Sequence, residues 1–281
     1  MNGESRTVCY DPDLKVEAYR FEGVRQKFPN HFHDYYVIGF IEDGKRFLLC
    51  QDQEYILKPG DILLLNPGDN HTCWQLQEEP LNYRCLNIQP DTMKAETAEI
   101  QGADTLPVFS QNVLYQSDLA ASLQELHCWI MEKNRDFKKE ELFLFLIEQL
   151  LREYTEMLFP DEKGGTSTTI QTVCGFLDEH YAEVISLDQL STLVGVNKYY
   201  LLHSFTKQRG ISPYSYLETV RINHAKKLLK QGESPLDTAF TTGFHDQSHF
   251  TNFFKKFIGL TPRQYGKIFQ EQENENGTTG I

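Results

Sequence analysis

Residues 236–265 read LDTAFTTGFHDQSHFTNFFKKFIGLTPRQY, and this stretch decides the fold of the C-terminal part of the chain. A short helix around Ala239, a turn at Gly243 and Phe244, and a second helix over residues 245–257 predict a helix-turn-helix. We expect the inward side of the second helix to carry Phe250, Phe253, Phe254 and Phe257. The outward side then carries Gln247, Ser248, Thr251 and Asn252, followed by Lys255 and Lys256. Because amides can pair with adenine edges and lysines with phosphates, this side is suited to double-stranded DNA.

The same pattern occurs about 48 residues earlier. A first helix over Leu187–Val194 is followed by a turn at Gly195 and a second helix over residues 198–209, with Asn197 as its N-cap. We expect Leu201 and Phe205 to face the core. The outward residues are then Lys198, Tyr199, Leu202, His203 and Thr206. One such pattern alone is also typical of an ordinary helical hairpin. Here two patterns are joined by a long helix over residues 214–230. A fixed spacing of this kind favours contacts with successive major-groove faces, which are roughly 34 Å apart.

Several strings of the C-terminal part closely resemble the signature of the AraC/XylS family of transcription regulators. They are GF at 243–244, DQSHF at 246–250, FK at 254–255 and GLTPRQY at 259–265. The resemblance covers about residues 170–269 and implies a seven-helix domain with two recognition helices in adjacent major grooves. On that basis the contact positions of the first unit match Tyr199, Leu202 and His203, and those of the second match Gln247, Ser248, Thr251 and Asn252. The sequence departs from the family at position 203, which is often arginine, at position 252, which is often basic, and at Thr238, where a larger aliphatic residue is usual.

The charge is distributed unevenly along the chain. The 281 residues carry a formal net charge of -13. Residues 187–270 nevertheless hold eleven Lys and Arg against five Asp and Glu, a net charge of +6, which suits attraction to phosphate. A scaffold or nucleoid protein would need basic charge throughout, and the acidic first 169 residues argue against that class.

The N-terminal part changes from a β pattern to a helical one. Short apolar runs over residues 16–89 are separated by turns, and residues 117–159 follow a helical period that predicts a hairpin. The strings HFH at 31–33, PGD at 59–61 and NPGDNH at 66–71 resemble the cupin-like effector domain of the same family. The predicted fold class is therefore α+β in two domains: a cupin-like β-barrel with a helical hairpin, then an all-α domain with two helix-turn-helix units joined by a long helix.

Histidines and aromatic residues are the candidates for the effector site. The period of two along a strand places His31, His33 and Tyr35 on one face, and barrel closure would bring His71 opposite them. The sequence does not settle whether Tyr35 or Tyr36 points inward. The predicted effector-binding residues are His31, His33, Tyr35, His71, Trp74 and Tyr83.

Three imidazoles are also a donor set for a divalent metal. Metal-binding cupins place a carboxylate after a gap of three or four residues beyond the second histidine, and here those positions are Val37 and Ile38. We therefore expect no cofactor, and we expect the three histidines to form hydrogen bonds in the core or to contact an organic effector. The alternative is a metal ion bound by His31, His33 and His71. The missing carboxylate likewise argues against the other candidate function, a metal-dependent cupin dioxygenase or isomerase, so we expect no enzyme.

The domain boundaries follow the changes in composition. We predict an effector-binding domain over residues 1–159, a linker over residues 160–169, a DNA-binding domain over residues 170–270 and a disordered tail over residues 271–281. The second hairpin helix carries a wide apolar stripe. Such a stripe is typical either of packing on the β-domain or of a homodimer interface.

The remaining expectations concern location and partners. The polar N-terminus lacks a signal-peptide pattern, no apolar run spans a bilayer, and the six cysteines form no C-x-x-C pair, which together predict a cytoplasmic protein without a membrane partner. The expected partners are double-stranded DNA, a small-molecule effector and a second copy of the chain, with RNA polymerase as a further candidate. Activation of transcription is one expected role, but the sequence leaves the choice between activation and repression, the operator and the effector open.

Overall fold

A computed structural model describes residues 4–25, 27–76, 80–102, 104–156 and 167–276. The chain divides into two compact units, one formed by Met1–Asn134 with Lys138–Glu162 and the other by Arg135–Phe137 with Lys163–Ile281. The first is rich in strands and the second is helical, which confirms the predicted two-domain α+β organisation. Within the described residues, no helix combines the length and the hydropathy that a membrane crossing requires.

Ten strands lie in the described residues of the first unit. They are β1 (Ser5–Asp11), β2 (Val16–Val24), β3 (Phe28–His31), β4 (Tyr36–Asp43), β5 (Arg46–Cys50), β6 (Gln53–Leu57), β7 (Ile62–Leu65), β8 (His71–Gln75), β9 (Leu81–Ile88) and β10 (Val113–Leu114). A six-stranded sheet has the order β1-β2-β9-β4-β7-β10, and a four-stranded sheet has the order β3-β8-β5-β6. All their pairings are antiparallel. The closure of these sheets into the predicted barrel stays a prediction.

Two of the predicted turns are held by buried aspartates. Asp61 accepts hydrogen bonds from the backbone N–H of Lys58 and of Gln116, at 2.9 and 3.0 Å. Asp69 accepts one from the backbone N–H of Asn66 at 2.9 Å. Such side-chain bonds to nearby backbone are the reason why aspartate is favoured in turns. These turns fix where β7 and β8 begin.

In the part of this unit that the structure describes, three helices accompany the sheets. They are α1 (Pro90–Gln101), α2 (Leu119–Met131) and α3 (Lys138–Tyr154). Helices α2 and α3 pack together as the predicted hairpin, whereas α1 was not predicted. The wide apolar stripe of α3 is largely buried, and Phe145 is its exception at 44% exposed.

Seven helices of the described residues form the second unit. They are α4 (Ser167–Glu179), α5 (Leu187–Val194), α6 (Lys198–Arg209), α7 (Pro213–Lys230), α8 (Pro235–Thr241), α9 (Gln247–Ile258) and α10 (Pro262–Asn276). Side-chain caps at Ser186, Asn197, Ser212, Ser234 and Asp246 start α5 to α9. An N-cap side chain satisfies one of the backbone N–H groups that the first turn leaves without a partner. The helix count agrees with what the family resemblance implies.

The long helix α7 carries a buried charge near its middle. Arg221 is 1% exposed. Its guanidinium donates to the carbonyl oxygens of Tyr181 and Glu183 and pairs at 3.0 Å with Asp136, which lies in the short segment that this unit includes. A buried charge is tolerated only when it is paired and hydrogen-bonded, so these contacts fix α7 to the loop after α4.

Two predicted boundaries differ from the structure. Helix α4 begins at Ser167, inside the predicted linker, and residues 160–166 of that linker lie outside the described residues. Helix α10 runs to Asn276, so residues 271–276 of the predicted disordered tail are helical and continue a helix that starts at a proline N-terminus. The last five residues, 277–281, are outside the described part of the chain.

Candidate functional site

Helix α9 presents a polar side. Gln247, Ser248, Asn252, Lys255 and Lys256 are exposed, and Thr251 is half-buried. The opposite side buries Phe250 and Phe254 in one core cluster with residues of α7 and α8. The expectation for Phe257 was wrong: it is 50% exposed, because it lies in the last turn of α9 and stacks on Phe253 instead of entering the core.

The start of α9 is fixed by a charged cap. The helix begins at Gln247, two residues after the predicted start, and the Asp246 carboxylate accepts from the backbone N–H of His249 at 2.7 Å. That hydrogen bond lowers the pKa of Asp246 from its ordinary value. A negative charge at a helix N-terminus is also favoured by the helix dipole.

The turn between α8 and α9 admits only glycine. Gly243 has a φ of +81°, which side chains rarely adopt. A Cβ there would lie 2.9 Å from both the Cα of Ala182 and the carbonyl oxygen of Tyr181. The Phe244 N–H closes the turn by donating to the Ala239 carbonyl at 2.9 Å. The turn is therefore fixed both by backbone conformation and by close packing on the loop after α4.

The first helix-turn-helix has the same backbone construction. The Val196 N–H donates to the Ser191 carbonyl at 3.1 Å, Gly195 has a φ of +67°, and Asn197 caps α6 by accepting from the Tyr200 N–H at 2.7 Å. Here a Cβ on Gly195 would meet nothing within 4 Å. Conformation alone requires glycine at this turn.

The outward side of α6 differs from the prediction. Leu201 and Phe205 are fully buried as expected. The placement of Tyr199 and Leu202 on an exposed side was wrong, since they are 9% and 8% exposed. His203 is half-buried, with its ring 4.3 Å from that of Tyr199. Two large apolar side chains extend the apolar stripe of α6 beyond one face, and such surface is stable only when it is covered.

A cavity of about 200 Å³ lies between the two sheets of the N-terminal unit. Both sheets contribute aliphatic and aromatic side chains to its wall. Its polar lining residues are Tyr19, His31, His33, Tyr35, Arg46, His71, Tyr83 and Asn87. Mostly apolar walls with a few convergent polar groups are typical of small-molecule sites.

The three histidines lie together at this cavity. The ring centroids of His31 and His71 are 4.3 Å apart, those of His31 and His33 are 4.8 Å apart, and those of His33 and His71 are 5.1 Å apart. Burial, and next the charge of His71, lowers the pKa of His33 to about 4. Burial also lowers the pKa of His71, so both imidazoles are neutral at pH 7. Neutral imidazoles can each accept one hydrogen bond or one metal ion.

The other predicted effector residues divide into two groups. Tyr35 and Tyr83 line the cavity, which settles the choice between the neighbouring tyrosines, because Tyr36 points away and its hydroxyl donates to the Pro107 carbonyl at 2.7 Å. Trp74 is not among the residues that line the cavity. It stacks on Phe47 at 4.2 Å, since three positions along β8 separate it from His71 and place it on the opposite face.

Comparisons with known proteins match both units. Residues 13–147 match the model of the AraC-like ligand binding domain, and residues 190–268 match that of a helix-turn-helix domain. Over 272 residues, which are 97% of this chain and 99% of the relative, the sequence is 57% identical to YbfI of Bacillus subtilis (strain 168), described as an uncharacterised HTH-type transcriptional regulator. The chain belongs to the AraC family of transcription regulators.

A more distant relative of this AraC-family regulator is also a transcription regulator. It is 25% identical to the HTH-type transcriptional activator RhaS of Klebsiella pneumoniae (strain 342), over 92% of this chain and 91% of that protein. The chain is also similar to the crystal structure of an apo ToxT variant from Vibrio cholerae strain SCE256, at 16% identity over 90% of this chain and 97% of that chain, with a TM-score of 0.39. The relatives are regulators and not enzymes, in agreement with the expectation from the missing carboxylate.

Sequence reasoning missed several residues of the cavity in this AraC-family regulator. Arg46 is 1% exposed and lies in the cavity wall, where its guanidinium stands 5.3 Å from the centre of the Phe28 ring. A signal for it was present. Leu48 and Cys50 are inward residues of β5, so the period of two places Arg46 on the same face. The contribution of Tyr19 and Asn87 depends on the pairing of β2 and β9, which no local pattern reveals.

Proposed function

We propose that this regulator reads DNA chiefly through the polar side of α9, and that an effector in the N-terminal cavity controls its binding to DNA. The exposure of Gln247, Ser248 and Asn252 over a buried phenylalanine core carries this proposal. An amide can make two hydrogen bonds to an adenine edge, whereas Lys255 and Lys256 can pair with phosphates regardless of sequence. The contacts of α6 are then made by Lys198 and His203, because Tyr199 and Leu202 are covered.

The chemistry of the cavity defines the class of effector. A volume of about 200 Å³ with apolar walls suits a small molecule with an apolar body. The buried guanidinium of Arg46 and the histidine cluster favour an anionic or hydrogen-bond-accepting group at one end, because a guanidinium has donors only. Trp74 has no place in this proposal, since its ring stacks on Phe47. We further infer that the two sheets close into a cupin-like barrel around the cavity.

The hairpin is the proposed homodimer interface. Helix α3 carries a wide apolar stripe, and the exposed Phe145 leaves part of that stripe open to a second copy. Dimerisation would raise the effective concentration of recognition helices at paired half-sites. Contact with RNA polymerase and a location in the cytoplasm, where the chromosome lies, complete the proposal.

The experiment distinguishes binding in the cavity from binding elsewhere on the molecule. Sugars, carboxylic acids and aromatic metabolites are screened against the full chain for a rise in its melting temperature, and each hit is tested for a change in affinity for an operator selected from random DNA. Val37 is buried and lines the cavity, so V37F should occupy the space and abolish the rise. V184F, at a residue that is 70% exposed, is the matched control and should respond like the wild type.

Two results would contradict the proposal. One is a hit whose effect on melting survives V37F, because that compound would bind elsewhere. The other is a hit that binds in the cavity and leaves the affinity for the operator unchanged.

A further inference from the structure

We propose that strand β1 is a self-association edge, along which two copies of this chain join their six-stranded sheets by antiparallel β1–β1 pairing. The contact is separate from the hairpin and goes beyond the proposed function. It is made through backbone hydrogen bonds between two identical edge strands. A chain that also dimerises through its hairpin keeps β1 available to join one dimer to another.

Strand β1 is the least protected of the four strands that end a sheet in the described residues. Strand β10 has two residues, β3 has four and includes Pro29, and β6 carries the exposed Glu54. Short length, proline and charge are the features by which proteins prevent an edge strand from pairing with another chain. Strand β1 has seven residues, and its stretch over residues 7–10 contains neither a proline nor a charge.

The two faces of β1 have different surroundings. Cys9 and Asp11 are buried, and their side chains form hydrogen bonds with residues of α2 and α3. Alternation along the strand places Arg6, Val8 and Tyr10 on the opposite face. On that face Val8 is 55% exposed and Tyr10 is 59% exposed. The helix-facing side therefore holds the strand in place, while the other side exposes two large apolar side chains.

The exposed face of β1 is complementary to itself in an antiparallel pair. When Val8 lies on the two-fold axis, it faces its own copy, and Arg6 of one strand faces Tyr10 of the other. A guanidinium is attracted to an aromatic ring, and no like charges face each other in this register. Within the sheet Tyr10 pairs with Glu17 of β2, so Arg6 of the second copy also approaches a carboxylate. Because apolar groups meet at the centre and complementary groups at both ends, a second copy is the partner that fits this edge.

Cysteine cross-linking of the full chain tests the contact. A stable interface takes roughly 20–30 residues from each side, so we expect pairing through seven to be weak and we measure proximity over a series of protein concentrations. Single variants are treated with dibromobimane, which joins two thiols only when they lie within a few ångströms of each other. Val8→Cys should form a cross-linked dimer at least about tenfold faster than Val184→Cys, because pairing raises the effective concentration of the thiols.

Two controls accompany these variants. Val184 is 70% exposed in the helical unit and provides the matched control for an exposed cysteine. The wild type measures the contribution of the six native cysteines.

A mixture of two variants tests the register. Arg6→Cys and Tyr10→Cys should cross-link with each other, whereas each alone should not, because its own copy lies four residues along the strand, about 14 Å away. Val8→Lys, introduced into both variants, should reduce this cross-link to the background level, since two lysines would face each other at the axis. Val184→Lys makes the same change of charge elsewhere and should leave the cross-link unchanged. The melting temperature of each variant shows that it is folded.

Three results would overturn the proposal. One is a Val8→Cys cross-link that forms no faster than that of Val184→Cys. Another is cross-linking of Arg6→Cys or Tyr10→Cys alone at the rate of the mixture, and the third is a mixture that is insensitive to Val8→Lys.

Phe145→Lys separates this contact from the proposed hairpin interface. This variant should abolish the hairpin dimer and leave the β1 cross-link intact. If the β1 cross-link is lost in Phe145→Lys, β1 is not a separate contact and the proposal is wrong. If the β1 cross-link forms but no hairpin dimer is found, only the hairpin interface of the proposed function fails.

Discussion

The two helix-turn-helix units share one backbone plan but differ in which side chains they expose. A shift of 49 residues superimposes the N-caps Asn197 and Asp246 and the left-handed C-cap glycines 210 and 259 of α6 and α9. It also superimposes Leu201 on Phe250, which are both fully buried. The same shift places buried residues against exposed or half-exposed ones: Tyr199 on Ser248, and Leu202 on Thr251.

This difference shows that the backbone and the reading surface are determined separately. Caps, glycine turns and two buried positions suffice to build each unit. The chemistry of the remaining positions decides whether the outer side of the second helix is polar and exposed, as in α9, or apolar and covered, as in α6. In our proposal α9 therefore supplies most of the polar contacts to bases. Five predictions test the comparison, in order of expected effect.

The largest effect is expected at the turns. Gly243→Ala should lower the free energy of unfolding by about 3 kcal/mol or more, because a left-handed alanine costs roughly 1–2 kcal/mol and its Cβ would also press on the backbone of Ala182. Gly195→Ala, with open space around its Cβ, should cost only the first of these amounts. Urea unfolding of the full chain measures both. Equal losses would show that the two turns are packed alike.

The covered position of α6 provides the second test. Leu202→Thr, which copies Thr251, should cost about 2–3 kcal/mol of unfolding free energy because it removes buried apolar surface. The reciprocal Thr251→Leu should change stability by less than about 0.5 kcal/mol. If urea unfolding shows that Leu202→Thr is as stable as the wild type, the outer side of α6 is as exposed to solvent as that of α9.

The exposed side of α9 provides the third test. Gln247→Ala should cost about 1–3 kcal/mol in affinity for the best site and relax the preference at one base pair. Lys255→Ala should weaken every sequence alike and reduce the dependence of binding on salt. Binding to a library of single-base variants at two salt concentrations separates these outcomes. A uniform loss in both variants would remove the assigned roles.

The fourth test concerns the first helix of each unit. For the first helices the shift is 48 residues, because it aligns the turn glycines Gly195 and Gly243, and it places Thr238 of α8 on Leu190 of α5. Thr238 is fully buried, and its hydroxyl has no hydrogen-bond partner among the described residues. Thr238→Val keeps the shape and removes this buried hydroxyl, so we expect a gain of about 1 kcal/mol in unfolding free energy. Thr238→Ser retains the hydroxyl and should not stabilise. A loss of stability in the valine variant would indicate that a bound water satisfies the hydroxyl.

The smallest effect separates the two caps by pH. Replacing either cap with alanine should cost about 1 kcal/mol at pH 7. The pKa of Asp246 is lower in the folded chain than in the unfolded one, so its stabilisation is complete above the unfolded value and disappears as pH falls through the folded value. Asn197 does not titrate. The difference in melting temperature between the wild type and Asp246→Asn should therefore become smaller when the pH is lowered beyond about 4. A difference that stays constant with pH would contradict the charged cap.

Local patterns predicted the parts of the fold that local chemistry determines. Glycine at positive φ, capping side chains and apolar spacing placed both helix-turn-helix units within a residue or two of their observed bounds. The sequence grouped His31, His33 and Tyr35, and the structure places all three at the cavity, although residues 32–35 lie between β3 and β4 and not in a strand. Alternation along β8, if applied, would have separated Trp74 from His71. Helix α1 was missed because its apolar face is narrow, with only Met93, Thr97 and Ile100 buried.

The sequence by itself determined the family, because its motifs are short strings of residues. It also determined the two-domain order and the helix-turn-helix units, because these depend on residues that are close in the chain. Tertiary structure alone decided that Tyr199 and Leu202 are covered, that Arg46 lines a cavity, and that His71 from β8 joins His31 and His33. The physical reason is that burial and convergence depend on surfaces distant in sequence. The chemistry of a side chain limits which groups it can bind, whereas its neighbours in the folded structure determine which groups it contacts.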